Sequence, residues 1–137
     1  MRTNRTPVLL ANITIFLTLG LGVVSAASNE SRSSTPQDVF DRMRQSFRAD
    51  KAKGVSVRYQ FNLSGPNGGD WYIAVNDGKF KMARGRIDNP NVTLVTSDRD
   101  WVALSNDDLG GTWAFMTGRL KIRGDRGLAK KLGEIFP

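Results

Sequence analysis

The sequence predicts an α+β domain in which a mostly antiparallel sheet carries its helices on one side. Two observations support this class. Apolar residues alternate with polar ones through residues 55–63 and in four shorter runs, a pattern typical of half-buried strands. Elsewhere apolar residues recur at helical spacing behind residues that cap helices. The resulting order, α-β-β-β-β-α-α-β-α, describes a largely antiparallel sheet with helices gathered on one face.

The first helix is predicted to begin after Thr35. This hydroxyl is a suitable N-cap, Pro36 takes the first helical position, and Asp38 is the acid three residues after the cap. An apolar stripe then lies opposite three arginines, and Gly54 ends the segment. The stripe consists of Val39, Phe40, Met43 and Phe47, and the arginines are Arg42, Arg44 and Arg48.

Four strands are predicted to follow. The first, residues 55–63, directs Tyr59 and Phe61 to its apolar face and Gln60 to its polar face. The glycine-rich turn at 65–69 leads to a second strand, which contains Ile73, and the Asp77-Gly78 pair is a hairpin signal before a third strand with Met82. Residues 92–96 supply the fourth strand.

The remaining elements are shorter. Ser97 repeats the capping pattern ahead of a short helix with Trp101 and Leu104, and residues 112–117 form a further helical turn. Leu120 and Ile122 alternate with basic residues in a last edge strand. The final helix starts near Asp125, and its apolar positions are Leu128, Leu132, Ile135 and Phe136.

Composition excludes most familiar active sites. The 137 residues are 39% hydrophobic, which suffices for one domain with its own core. Histidine and cysteine are both absent, so Ser-His-Asp and Cys-His nucleophiles, disulfides and zinc sites with nitrogen or sulfur ligands are excluded. We expect a binding protein with no cofactor, no metal and no catalytic residue. An enzyme that uses Asp98 or Asp100 as acid or base is the lesser alternative.

The charge balance favours anionic partners. Twenty Lys and Arg oppose 13 Asp and Glu, which gives +7 and a pI near 10.3. A cluster near the last helix is predicted to dock on anionic membranes, with a solvated basic face as the alternative reading. It comprises Arg119, Lys121, Arg123, Arg126, Lys130 and Lys131. A nucleic-acid-binding module, with Trp101 and Trp113 as exposed aromatic candidates, is the rival function.

The first residues predict an export signal. Arg2 and Arg5 precede an uncharged, largely apolar stretch over residues 8–25, and Val24-Ser25-Ala26 fits a signal-peptidase site. We therefore expect residues 1–26 to be removed and the protein to be secreted or periplasmic. A membrane anchor over residues 7–26 is the alternative. Residues 27–35 are predicted to be a flexible linker to a domain at 36–137.

Three stretches carry a family resemblance. They are YQFNLSGPNGGDWYIAVNDG at 59–78, NPNVTLVTSDRDWVAL at 89–104 and AFMTGRLKIRGDRGLAKKLGEIF at 114–136. Residues 36–137 thereby resemble the sterol carrier protein 2 family. The resemblance implies a five-stranded sheet covered on one face by helices, which encloses an apolar tunnel for sterols, fatty acids, acyl-CoAs or phospholipids. It brings no catalytic residues.

The implied function is non-enzymatic lipid binding, or transfer of lipid between membranes, by a monomer. The final helix is the candidate lid over the tunnel, and strand residues form the opposite wall. Plain core packing is the alternative reading for each lining candidate. The predicted lipid-binding residues are Tyr59, Phe61, Ile73, Met82, Trp101, Leu104, Phe115, Met116, Leu128, Leu132, Ile135 and Phe136.

Overall fold

The computed structural model of the protein describes residues 32–137. The predicted signal peptide, the alternative anchor and most of the predicted linker lie outside the described residues. The helices are α1 (Pro36–Ser46), α2 (Ala49–Ala52), α3 (Asp98–Ser105), α4 (Gly111–Met116) and α5 (Arg126–Ile135). The strands are β1 (Ser56–Ser64), β2 (Gly69–Asn76), β3 (Lys79–Arg84), β4 (Val92–Ser97) and β5 (Lys121–Gly124). Over residues 32–137, no helix combines the length and apolar content that a membrane span requires.

The five strands form one mixed sheet in the order β3-β2-β1-β4-β5. Three of its four pairings are antiparallel, which confirms the mostly antiparallel prediction. The fourth pairing, between β1 and β4, is parallel and sets Tyr59 opposite Val92. It arises because the chain leaves β3 at one edge of the sheet and crosses back before it enters β4.

A buried glutamine anchors this crossover on the outer face of the sheet. Gln60 was predicted on the polar face of β1, yet it is buried there. Its amide nitrogen donates to the carbonyl oxygens of Trp71 at 3.0 Å and Gly85 at 3.2 Å, and its Oε1 accepts from the Ile87 N–H at 2.9 Å. The segment after β3 is therefore held against the outer face beside β1.

The predicted single helix up to Gly54 is wrong, because the chain forms two helices there. Phe47 adopts an extended backbone with φ −55° and ψ 128°, which ends α1. Its ring packs on Phe80, with 4.5 Å between ring centroids, and Arg48 N–H donates to the carbonyl of Ile135 at 2.8 Å. Because the helix ends here, residues 47 and 48 can contact β3 and α5.

Three of the predicted helix starts are confirmed in detail. Thr35 and Asp38 form a reciprocal capping box at the start of α1. The Ser97 side chain accepts from the N–H of Asp100, and the Asp125 side chain accepts from the N–H of Leu128. Each cap satisfies a backbone N–H that has no partner within its own helix.

The core lies between the inner face of the sheet and the helices. Phe40 of α1 stacks on Trp71 of β2, with ring centroids 4.2 Å apart and planes at 16°. It also meets Phe61 edge-on at 5.3 Å and Trp101 at 5.5 Å. This aromatic cluster packs α1 and α3 onto the inner face of the sheet.

Candidate functional site

A pocket of about 430 Å³ lies between α1, α3 and the end of α5. This volume falls within the roughly 300–1,000 Å³ of pockets that bury small-molecule ligands. Its apolar wall is formed by Val39, Met43, Trp101, Leu104, Leu132 and Phe136. Polar residues, Gly133 and Pro137 complete the lining, and the polar ones are Arg42, Ser46, Ser105 and Asp107. The lining therefore combines six apolar side chains with four polar ones.

The structure brings four of the predicted lipid-binding residues to this pocket: Trp101, Leu104, Leu132 and Phe136. Five others are buried in the core and do not line it: Tyr59, Phe61, Ile73, Met82 and Ile135. Phe115 and Leu128 are half-buried away from the pocket, and Met116 is 74% exposed. A tunnel through the domain, and the role of all twelve residues as ligand contacts, stay predictions.

Arg42 was not among the predicted site residues, because its position was interpreted as opposite the apolar stripe. Arg42 lies three residues after Val39 and next to Met43, so it borders the stripe, and this spacing was the available signal. Its Nη1 donates to Ser33 Oγ at 3.1 Å, Ser105 Oγ at 3.4 Å and Asn106 Oδ1 at 3.3 Å.

These partners of Arg42 are all neutral. Within residues 32–137 the guanidinium has no carboxylate partner, and exposed Asp107 of the same pocket lining forms no ion pair with it. Ser33 is itself buried, and it exchanges two backbone hydrogen bonds with the Asn106 amide, both 2.8 Å long. The packed unit therefore begins at Ser33, within the predicted linker.

Trp101 contributes a buried donor to the pocket wall. Its Nε1 has no hydrogen-bond partner among the described residues, while its ring packs on Phe61 at 5.2 Å. A buried N–H without a partner costs about 1–3 kcal/mol. The side chain is only 8% exposed, so the expectation that Trp101 is an exposed aromatic, made for the nucleic-acid reading, is wrong. Packing under α1 is the physical reason.

A tyrosine holds α5, the helix that contributes Leu132 and Gly133 to the pocket lining, against the centre of the sheet. Tyr59 of β1 donates its hydroxyl to the carbonyl of Leu128 in α5 at 2.6 Å. Burial, followed by the charges of Asp125 and Glu134, raises the pKa of Tyr59 well above its ordinary value. Together with the bond from Arg48 to Ile135, this contact anchors both ends of α5, the predicted lid.

The carboxylates considered for catalysis are engaged in structural contacts. Asp98 is buried and accepts from the backbone N–H groups of Asn67 at 2.9 Å and Arg99 at 2.8 Å. Gly65 has φ +101°, and a Cβ there would collide with the Asp98 carboxylate. Asp100 pairs with Arg119 at 2.7 Å. Across residues 32–137 no cluster of three or more acidic side chains could hold a metal ion.

The six predicted docking cations differ in their partners. Arg119 makes a two-point contact with Asp100, and Lys131 lies 3.8 Å from Glu134. The other four are exposed and have no carboxylate partner in the described part of the chain: Lys121, Arg123, Arg126 and Lys130.

A mixed sheet with an apolar pocket under its helices defines a small domain that binds apolar ligands. The particular family follows from comparison with known proteins. Residues 38–137 match the SCP-2 sterol transfer family, and the chain belongs to this family. The family assignment confirms the resemblance and the predicted function of lipid binding or transfer, and none of the matches below points to nucleic acid.

Relatives found by sequence and by structure both support this family assignment. Hydroxysteroid dehydrogenase-like protein 2 of Bos taurus is 33% identical over 78% of this chain and 26% of its own length. The chain thus spans about a quarter of the length of the curated relatives it matches. The sterol carrier protein domain 2 of Helicoverpa armigera is 34% identical, with a TM-score of 0.54 over 74% of this chain and 89% of that one. Palmitated SCP2L2 from Aedes aegypti shares the fold, with 23% identity and a TM-score of 0.61 over 75% and 95%.

Proposed function

We propose that the domain binds a single-chain lipid in the pocket between α1, α3 and α5, with the acyl chain on the apolar wall and an acidic headgroup at Arg42. The observation that carries this proposal is the pocket of about 430 Å³, whose lining combines an apolar wall with Arg42, a cation that has no carboxylate partner within residues 32–137. The fold relative from Aedes aegypti is palmitated in its solved structure, which supports an acyl chain as the guest.

The energetics of such a pocket suit transfer rather than tight storage. An alkyl chain gains roughly 0.8 kcal/mol per methylene when it leaves water for an apolar cavity. It gains about as much when it enters a bilayer. Exchange between the two is therefore close to neutral, so the domain can load at one membrane and unload at another.

The headgroup assignment predicts discrimination between an acid and an alcohol. A hydrogen bond to a charged group contributes about 1.5–3 kcal/mol, which corresponds to about 10–150-fold in affinity. Arg42→Gln keeps a donor for Ser33 and Asn106 but removes the charge. We expect it to weaken binding of a fluorescent fatty acid by this factor and to leave the matching fatty alcohol unchanged. Equal losses for both ligands would place the headgroup elsewhere.

The position of the pocket can be tested at Gly133, which lies in its lining. A Cβ built at Gly133 meets nothing within 4 Å, so a larger side chain can enter the open space. Alanine and leucine have similar helix propensities, which makes Gly133→Ala a matched control for Gly133→Leu. A leucine there would displace about two or three methylenes of the guest and weaken lipid binding roughly thirtyfold. Equal affinities for the two variants, measured by fatty-acid titration, would contradict the assignment.

We further infer that this chain is not itself an enzyme. Asp98 and Asp100 are engaged by backbone N–H groups and by Arg119, and the sequence contains no histidine or cysteine. The dehydrogenase-like relatives are about four times longer than the matched segment, so their name describes more than this domain. Turnover of a lipid ester that is abolished by Asp98→Asn or Asp100→Asn would overturn this inference.

Export remains a proposal that rests on the residue pattern of positions 1–26. The expected mature protein begins at Ala27 and acts as a monomer. The mass of the protein recovered from the exporting cell tests whether the mature chain begins at Ala27. A native mass spectrum of that protein tests whether it is a monomer. It would also identify a lipid that copurifies.

A further inference from the structure

Two large apolar side chains stand in solvent on the short helix α4. Trp113 is 61% exposed and Met116 is 74% exposed, the only large hydrophobic residues so exposed across residues 32–137. They are three positions apart, so they share one face of the helix. The opposite side is fixed, because Ala114 is fully buried and its carbonyl accepts from Leu120 N–H at 2.9 Å. The pair is thus presented by an anchored helix.

Basic residues of α5 lie beside α4, the helix that carries this pair. The Arg126 guanidinium lies over the ring of Phe115, 4.9 Å from its centroid. Lys130 follows four residues later on the same face of α5. Neither cation has a carboxylate partner within residues 32–137. The acids of this region are engaged elsewhere, since Asp125 caps α5 and Glu134 pairs with Lys131.

The other two exposed cations of the predicted cluster face away. Ile122 of β5 packs against the core on the inner face of the sheet. Because successive residues of a strand point to opposite faces, Lys121 and Arg123 project from the outer face. The basic residues therefore belong to two separate surfaces, and that of α5 lies beside α4, which carries the exposed apolar side chains.

We propose that Trp113, Phe115, Met116, Arg126 and Lys130 form a docking surface for the headgroup region of an anionic phospholipid bilayer. Tryptophan prefers the boundary between headgroups and hydrocarbon, where its ring has apolar and polar neighbours. Basic residues at the same level attract the anionic headgroups. The complementarity of charge and the exposed apolar pair together select a membrane as the occupant.

The surface continues into the pocket through α5. The helix that carries Arg126 and Lys130 on one side contributes Leu132 and Gly133 to the pocket wall. Docking would therefore bring the pocket close to the bilayer, so that a lipid could pass between them with little exposure to water. This inference rests on the proposed function for the identity of the cargo, whereas membrane docking itself does not.

Tryptophan fluorescence reports directly on the docking step. The chain has three tryptophans, and Trp71 and Trp101 are only 3% and 8% exposed. A blue shift on mixing with vesicles therefore reports mainly on Trp113. We expect this shift with vesicles of phosphatidylcholine and phosphatidylserine in equal amounts, and its loss in Trp113→Gln. Met116→Gln, at an exposed position, is expected to weaken sedimentation with these vesicles about tenfold.

A pair of double variants separates local docking from net charge. Arg126→Gln with Lys130→Gln should weaken binding to the mixed vesicles about thirtyfold, because each basic residue near an anionic surface contributes about fivefold. Lys121→Gln with Arg123→Gln removes the same charge from the outer face of the sheet. It should change binding by less than about threefold, since screening limits long-range attraction.

Three results would overturn the docking surface. They are equal losses in both double variants, no blue shift of wild-type protein with anionic vesicles, and a Trp113 shift with single-stranded oligonucleotide but not with vesicles. Titration of each variant with a soluble fluorescent fatty acid, without vesicles, keeps the two proposals distinguishable. Unchanged fatty-acid binding is expected in Trp113→Gln and in the double variant of Arg126 and Lys130. A wild-type protein that binds vesicles but no fatty acid would refute the proposed cargo alone.

Discussion

The hydroxyl of Tyr59 offers a quantitative test of how α5 is held. Tyr59→Phe removes one oxygen and leaves the buried ring in place, so the principal loss is the 2.6 Å bond to the Leu128 carbonyl. As a residue of α5, Leu128 keeps the hydrogen bond that its carbonyl accepts within the helix. The variant should therefore lose about 1 kcal/mol of unfolding free energy. For a domain of this size, the melting temperature should fall by roughly 4 °C.

The same residue predicts a signature at alkaline pH. The pKa of Tyr59 is raised from its ordinary value of 10.0, chiefly by burial. Below pH 10 both the folded and unfolded chains keep this proton, so the stabilisation is complete. Above pH 10 the unfolded chain releases it first, and wild-type stability falls by about 1.4 kcal/mol per pH unit relative to the variant. The wild-type protein should therefore lose its stability advantage over Tyr59→Phe within about one pH unit above 10, and at higher pH the variant should be the more stable of the two.

Urea denaturation followed by circular dichroism, at pH 7 and at a series of values above 10, measures both effects. Tyr72→Phe is the matched control, because the Tyr72 hydroxyl makes no hydrogen bond within residues 32–137. Release of bound fatty acid should also be faster in Tyr59→Phe, since α5 forms part of the pocket wall. A Tyr59→Phe protein with wild-type stability at neutral pH, or with the wild-type loss above pH 10, would refute the reasoning.

Two further variants probe the pocket and the crossover. Leu132→Asp places a charge on the pocket wall and should strongly reduce binding of an apolar fluorescent lipid. Lys130→Ala is the control, because the Lys130 side chain is exposed, and it should have a much smaller effect. Equal effects in a fluorescence titration would argue against a guest at this wall. Gln60→Leu leaves three backbone groups without its amide and should lower the unfolding free energy by roughly 3 kcal/mol in urea. A wild-type urea midpoint for that variant would show that the crossover is held by other contacts.

Local signals predicted most secondary-structure elements correctly. The capping box of Thr35 and Asp38 and the caps at Ser97 and Asp125 depend on residues only a few positions apart, so they can be predicted from the sequence alone. Alternation identified every strand for the same reason, because each side chain's face follows from the pleat. The Asp77-Gly78 turn joins β2 and β3 as predicted, and both residues have positive φ.

Long-range contacts account for the misreadings. The break at Phe47 exists because its ring meets Phe80 and its neighbour bonds to α5, and neither partner is close in sequence. In the sequence, Gln60 has the pattern of an exposed polar strand residue, and it is buried only because the crossover after β3 packs over it. Arg42 is a candidate site residue because α1 and α3, which are distant in sequence, leave a space between them that this side chain lines.

The sequence by itself therefore determined the class of domain, three of its helix starts, its strands and the family to which it belongs, since these follow from local chemistry and from residue order. Only the tertiary structure decided which apolar residues fill the core and which surround a pocket. It also separated the basic residues into two surfaces. Burial and proximity depend on how distant segments pack around the Phe40 cluster, and no periodicity along the chain specifies that packing.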